Sequence, residues 1–115
     1  MNNPELINTI RSLKKASKEQ GIPLWMALAD ELDKAKRRRV ALNLSRINRH
    51  TEAGDVVAVP GKVLGAGNLT HPVTIAAFSF SNTAREKIDF AEGRAITLME
   101  LLAEGKNPSE IRILK

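Results

Sequence analysis

Cysteine and tyrosine are both absent from this 115-residue chain, and its aromatic side chains are Trp25, Phe78, Phe80 and Phe90 alone. Without cysteine there is no disulfide, no thiolate nucleophile and no thiolate metal site, which agrees with a reducing compartment. So few aromatics argue against the platforms on which single-strand binders stack successive bases. No apolar run approaches the roughly 20 residues that a membrane span requires. Met1 to Pro4 lacks the basic and apolar blocks of a signal peptide. The expectation is a cytosolic protein. The length, with 43% hydrophobic and 27% charged residues, is that of one small globular domain with a modest core.

Carboxylates are the other scarcity, and it is local. Lys and Arg number 18 against 13 Asp and Glu, for a net charge of +5. Residues 1–50 hold eleven basic and five acidic side chains, whereas residues 51–115 hold seven and eight. Lys34, Lys36, Arg37, Arg38, Arg39, Arg46 and Arg49 fall within one stretch that contains no Asp or Glu. Such a balance points to a polyanionic partner.

Asn3 and Pro4 are helix-start residues, and Leu6, Ile7, Ile10 and Leu13 recur at helical spacing until Gly21, which predicts a helix over 4–20. Its basic set, Arg11, Lys14, Lys15 and Lys18, is centred roughly 100° around the wheel from the apolar stripe. Pro23 opens a second helix, predicted to run to about residue 36, with Trp25, Leu28, Ala29 and Leu32 as its buried stripe. Val40 to Leu44 alternates as a short strand, and Ser45 is a candidate cap for a helix reaching about Glu52. Beyond Asp55 the pattern turns to β. A strand over Val56–Val59 is expected to stop at Pro60, with a very short one at Val63–Leu64 and a longer one over Val73–Phe80. Thr83 with Glu86, and Thr97 with Glu100, have capping-box spacing and predict helices ending at Gly93 and Gly105, before a last strand at Ile111–Leu114. The fold class is therefore α/β, with an N-terminal helical pair over 1–39 and an α/β core over 40–115.

The sharpest chemical feature is the run Lys36-Arg37-Arg38-Arg39. Consecutive arginines point in different directions on a helix or strand, so one intramolecular pairing surface cannot serve them all. A surrounding polyanion can, because guanidinium forks match phosphate oxygens and each neutralised phosphate releases counterions. The bland alternative is a solvated charged face, and the missing carboxylates and the second basic face on the first helix weigh against it.

Gly61-Lys62-Val63-Leu64-Gly65-Ala66-Gly67 invites comparison with a phosphate loop. It lacks the four-residue spacing before Gly-Lys and the following Ser or Thr, and it leads to a turn and strand rather than a helix. Tight turns account better for Gly65 and Gly67, although Lys62 could reach a phosphate by its side chain. His50 and His71 lie in separate segments with no metal-triad or relay spacing, and the default for both is a solvated loop. No serine sits in a nucleophile-elbow context, and Trp25 reads as core. No catalytic residue, metal site or cofactor is expected.

Three segments together resemble one family: the arginine run continuing through Val40–Arg49, the stretch Val59–Gly67, and Phe80-Ser81 leading into Ala84–Ile88. They are similar to the large-subunit ribosomal protein L-eighteen-e of archaea and eukaryotes, a relative of bacterial L-fifteen, and the likeness runs from Pro4 to the final strand. The resemblance implies a non-catalytic structural constituent of the large subunit, bound to its rRNA and to neighbouring ribosomal proteins, built as a small irregular stack of strand and helix units. The short length looks archaeal. The candidate RNA-binding residues are Arg11, Lys14, Lys15, Lys18, Lys34, Lys36, Arg37, Arg38, Arg39, Arg46 and Arg49, with Asn43 and Lys62 as lesser ones. The chain departs from the family pattern at Ala35, where proline or serine precedes the basic run, which leaves open whether the second helix breaks there. Two readings of other classes compete: a helix-turn-helix DNA-binding module centred on Gly21, and a small nucleotide-dependent enzyme built on the Gly61–Gly67 loop.

Overall fold

The computed structural model describes residues 3–115. Helix α1 spans Pro4–Gln20; the Asn3 side chain accepts from the amides of Glu5 and Leu6, and Gly21 ends the helix in the left-handed conformation. Helix α2 covers Pro23–Leu32 and buries Trp25, Leu28, Ala29 and Leu32, four positions on one helical face. It stops four residues short of the expected end, with Asp33 as its C-cap, and a separate 3-10 turn follows at Lys36–Arg38. Past Leu32 only Ala35 is apolar before Val40. A continued helix would bury nothing and would stack Lys34 over Arg38 at repulsive spacing.

Strand β1 (Val40–Asn43) leads into helix α3 (Leu44–Arg49). Ser45 does not cap α3; its amide donates to the Ala66 carbonyl at 3.1 Å. The helix also ends before Glu52: the His50 amide at 3.2 Å and the Thr51 hydroxyl at 2.8 Å both donate to the Ile47 carbonyl and close its last turn.

Strand β2 runs unbroken over Val56–Leu64, straight through Pro60. The proline is tolerated because of what flanks it. Strand β5 (Ile111–Ile113) pairs with Val56–Ala58 and β1 with Gly61–Leu64, and the register against β3 (Thr74–Phe80) slips between Val59 and Lys62. Pro60 thus falls in the gap between two partner strands and at an irregularity against the third, where a missing donor is not required.

Helix α4 (Asn82–Phe90) is capped by Ser81, whose hydroxyl accepts from the Ala84 amide at 3.1 Å, so the expected Thr83–Glu86 box is displaced by two residues. At its other end Glu92, not Gly93, takes the left-handed position (φ 63). The amides of Glu92 and Gly93 return to the carbonyls of Asp89 and Ile88, both at 2.9 Å. Gly93 is needed for a different reason: a Cβ there would lie 2.5 Å from the Val73 carbonyl oxygen. The sequence pattern did not indicate β4 (Arg94–Thr97); α5 (Leu98–Glu104) follows with the expected Thr97–Glu100 capping box.

All strand pairings are parallel, in the order β1-β2-β3-β4, with β5 sharing the β1 edge of β2. Buried on both faces, the sheet separates two clusters. Ala58 and Ala76 face α1, α2 and α5, around Leu13, Trp25, Leu28, Leu32 and Leu101. Val57, Val59, Ile75 and Ala77 face α3 and α4, around Leu44, Ile47 and Ile88.

Candidate nucleic-acid interface

The arginine run and the basic residues of α3 lie beside β1 and β5 at one edge of the sheet. On α1, Arg11, Lys15 and Lys18 are exposed beside the buried stripe of Leu6, Leu13 and Ala16. Lys14 reaches Asp33 at 3.6 Å and so places this basic flank against the end of α2, where the arginine run begins.

That junction is organised by backbone and one carboxylate. The Lys34 ammonium donates to both oxygens of Glu31 at 2.9 Å, and Lys115 donates to Glu31 Oε2 at 3.0 Å. These two ammonium donors, Lys34 first, hold the Glu31 carboxyl below the usual carboxylate range. The Arg39 Nε donates to the Lys34 carbonyl at 3.1 Å, folding its side chain back over the turn. Arg46 of α3 donates to the Lys115 carbonyl at 3.2 Å. A continuous path, Arg46 to Lys115 to Glu31 to Lys34, therefore ties α3 to the end of α2 across the sheet edge.

Asn43 and Lys62 are exposed, and the pairing Ala41↔Lys62 and Asn43↔Leu64 puts both on the sheet face opposite Leu42 and Val63. They lie on the α1–α2 side of the sheet, whereas Arg46 and Arg49 ride on α3 on the other side. The band wraps an edge rather than lining a groove. Lys36 opens the 3-10 turn beside Arg37 and Arg38.

The acid-free stretch suggests that its cations are all unpaired, and this is not so. Lys34 and Lys14 have carboxylate partners outside the acid-free stretch. Arg37, Arg38 and Arg49 are exposed and form no ion pair among the described residues. Sequence reasoning missed Lys115 and Glu31, which lie far apart in the chain and carry no local signal. It also missed Arg112 on β5, which is 3.6 Å from Asp55. Arg112 and Asp55 line a polar cleft of about 480 Å³ with Arg49, His50, Thr51 and Glu52.

The glycine-rich loop has the wrong polarity for a phosphate. The Lys87 ammonium donates to the carbonyls of Gly65 (2.7 Å) and Gly67 (2.6 Å), and Ala66 offers its carbonyl to Ser45. A phosphate cradle presents amide hydrogens; this loop turns its oxygens inward onto a cation. His71, expected in solvent, is half-buried, with Nε2 2.8 Å from the Thr51 hydroxyl. Among the described residues no three His, Cys, Asp or Glu side chains are gathered as for a metal ion. The helix-turn-helix reading also meets a difficulty of charge. Pro23–Leu32 contains no Lys or Arg; its charged residues are Asp30 and Glu31, which duplex phosphates would repel.

Residues 28–96 match the profile of the family described as "Ribosomal proteins 50S-L15, 50S-L18e, 60S-L27A". The chain is 45% identical over 113 residues to the large ribosomal subunit protein eL18 of Methanothermobacter thermautotrophicus, covering 98% of this chain and 93% of that protein. It is 46% identical over 106 residues to the protein of the same name from Sulfurisphaera tokodaii (92% and 90% covered). With that of Methanococcus maripaludis it shares 43% over 112 residues (97% and 93% covered).

Proposed function

The chain belongs to the family of ribosomal proteins 50S-L15, 50S-L18e and 60S-L27A, and from that premise we propose that its basic band lies on rRNA phosphates within the large ribosomal subunit. The family role is that of a structural component, not an enzyme. The proposed partners are large-subunit rRNA and neighbouring ribosomal proteins, with the ribosome in the cytoplasm as the place of action. The proposed contact residues are Arg11, Lys14, Lys15, Lys18, Lys34, Lys36, Arg37, Arg38, Arg39, Arg46 and Arg49, with Asn43 and Lys62 at the margin.

The observation that carries this reading is the exposure of Arg37, Arg38 and Arg49 without an ion-pair partner among the described residues. Unpaired guanidinium groups on the Lys36–Arg38 turn and on α3 suit the bidentate geometry of phosphate oxygens. Because almost no aromatic accompanies them, affinity should be electrostatic. Neutralising about six phosphates gives a slope of log K against log salt of about −4 to −5. The test is a salt titration of binding to folded large-subunit rRNA beside duplex DNA. Tighter binding to the rRNA with that slope is the expected result; a slope near zero, or preference for the duplex, would refute it.

A further inference from the structure

Helix α4, which shares its side of the sheet with α3, carries a different surface. Phe90, the last residue of α4, is 90% exposed, and no other large hydrophobic side chain among the described residues is exposed. It borders a cleft of about 260 Å³ lined by Asn68, Leu69, Glu86 and Lys87. Glu86 stands one helical turn before Phe90, on the same face, and Asp89 and Glu92 flank it; all three carboxylates are exposed. None is in an ion pair among the described residues. Of the two cations of α4, Lys87 spends its ammonium on the carbonyls of Gly65 and Gly67, and Arg85 lies with its guanidinium 5.1 Å from the centre of the Phe80 ring.

An isolated exposed aromatic beside a cleft, framed by free carboxylates, is a surface for a cation with an apolar stem. We infer that the Phe90 face docks a Lys- or Arg-rich segment of a neighbouring protein. Its side chains lay their methylenes in the cleft, set a charged head over the Phe90 ring, and pair with Glu86, Asp89 and Glu92. RNA is disfavoured here because phosphates would meet three carboxylates. A second copy docked symmetrically would bring two such sets of carboxylates together. The inference rests on the ribosomal reading for the presence of a protein neighbour, but not on which arginines touch RNA.

The test places photoreactive benzoyl-phenylalanine at position 90 of the full chain, assembled into large ribosomal subunits, with the same probe at position 38 in a second preparation. Position 90 should crosslink to a Lys/Arg-rich protein segment, and Glu86→Gln, Asp89→Asn and Glu92→Gln introduced together should sharply lower the yield. A crosslink to rRNA, to a second copy or to a segment without basic residues would overturn the inference, as would no adduct or a yield indifferent to the three substitutions. The position 38 probe reports separately: failure to reach rRNA there counts against the phosphate reading and leaves the Phe90 result standing. In solution a fluorescent polyarginine peptide should bind the isolated chain, and Phe90→Ser should weaken that binding with an unchanged melting temperature. Equal binding by both chains contradicts the proposal whether or not the labelled chain enters subunits.

Discussion

Two segments of this chain look alike as sequence, each a short run of residues suited to phosphate: Lys36–Arg39 and Gly61–Gly67. In the fold they are opposites. At the three glycines the space a Cβ would need is taken by protein. A Cβ on Gly61 would lie 1.9 Å from the Val40 carbonyl oxygen, one on Gly65 2.7 Å from Thr83, and one on Gly67 2.5 Å from Ser45. At the arginine run the Arg38 amide closes a turn onto the Ala35 carbonyl, while Arg37 and Arg38 project into solvent without an ion-pair partner among the described residues. Glycine marks where the chain must approach itself, and unpaired arginine where something else must approach the chain.

The contrast is broken most severely at Gly61. Gly61→Val forces a side chain into the β1–β2 pairing, and overpacking of this kind costs about 3 kcal/mol or more. Urea unfolding should show that loss, while rRNA affinity per folded molecule stays near wild type. A nucleotide-binding defect in a chain of normal stability would reverse the assignment.

A smaller effect is expected at Lys87. Lys87→Met keeps the aliphatic stem but leaves the Gly65 and Gly67 carbonyls without their shared donor, a loss of about 1–2 kcal/mol for two partly exposed charge-assisted bonds. The measurement is again the unfolding midpoint, and an unchanged midpoint would mean the loop holds its shape without this latch.

Smaller still is the pH dependence at the junction. Lys34 and Lys115 lower the folded-state pKa of Glu31. The stability this contributes is present above the unfolded-state pKa and is lost as pH falls through the lowered folded value. Acidification below the usual carboxylate range should therefore destabilise wild type more than Glu31→Gln. Parallel acid profiles would show that the two lysines do not bind Glu31 in solution.

What the sequence disclosed follows the reach of its signals. Caps and periodic stripes act within a few residues, so α1, the buried face of α2 and the Thr97–Glu100 box are readable from composition and spacing alone. The end of α2, the passage of β2 through Pro60 and the strand Arg94–Thr97 depend on partners distant in the chain. Pro60 looks like a stop until β1 and β5 are seen to leave a gap beside it. The candidate interface divides in the same way. The arginine run announces itself by lacking carboxylates, but Lys115 joins it only through Glu31, across 84 residues. Glu92 in the left-handed position was hidden because the adjacent Gly93 is the residue a pattern would choose.

The central claim is that Arg37 and Arg38 are held open for phosphate rather than used by the fold. Replacing the two together by Ala tests it through the salt dependence of rRNA binding, measured beside wild type. Removing about two phosphate contacts should shrink the slope of log K against log salt by about 1.5 to 2 and weaken binding near 0.1 M salt by some tens of fold, as about 0.7 to 0.9 per phosphate implies. The melting temperature should stay close to that of wild type. An unchanged slope, or a double variant that loses its fold, would contradict the account.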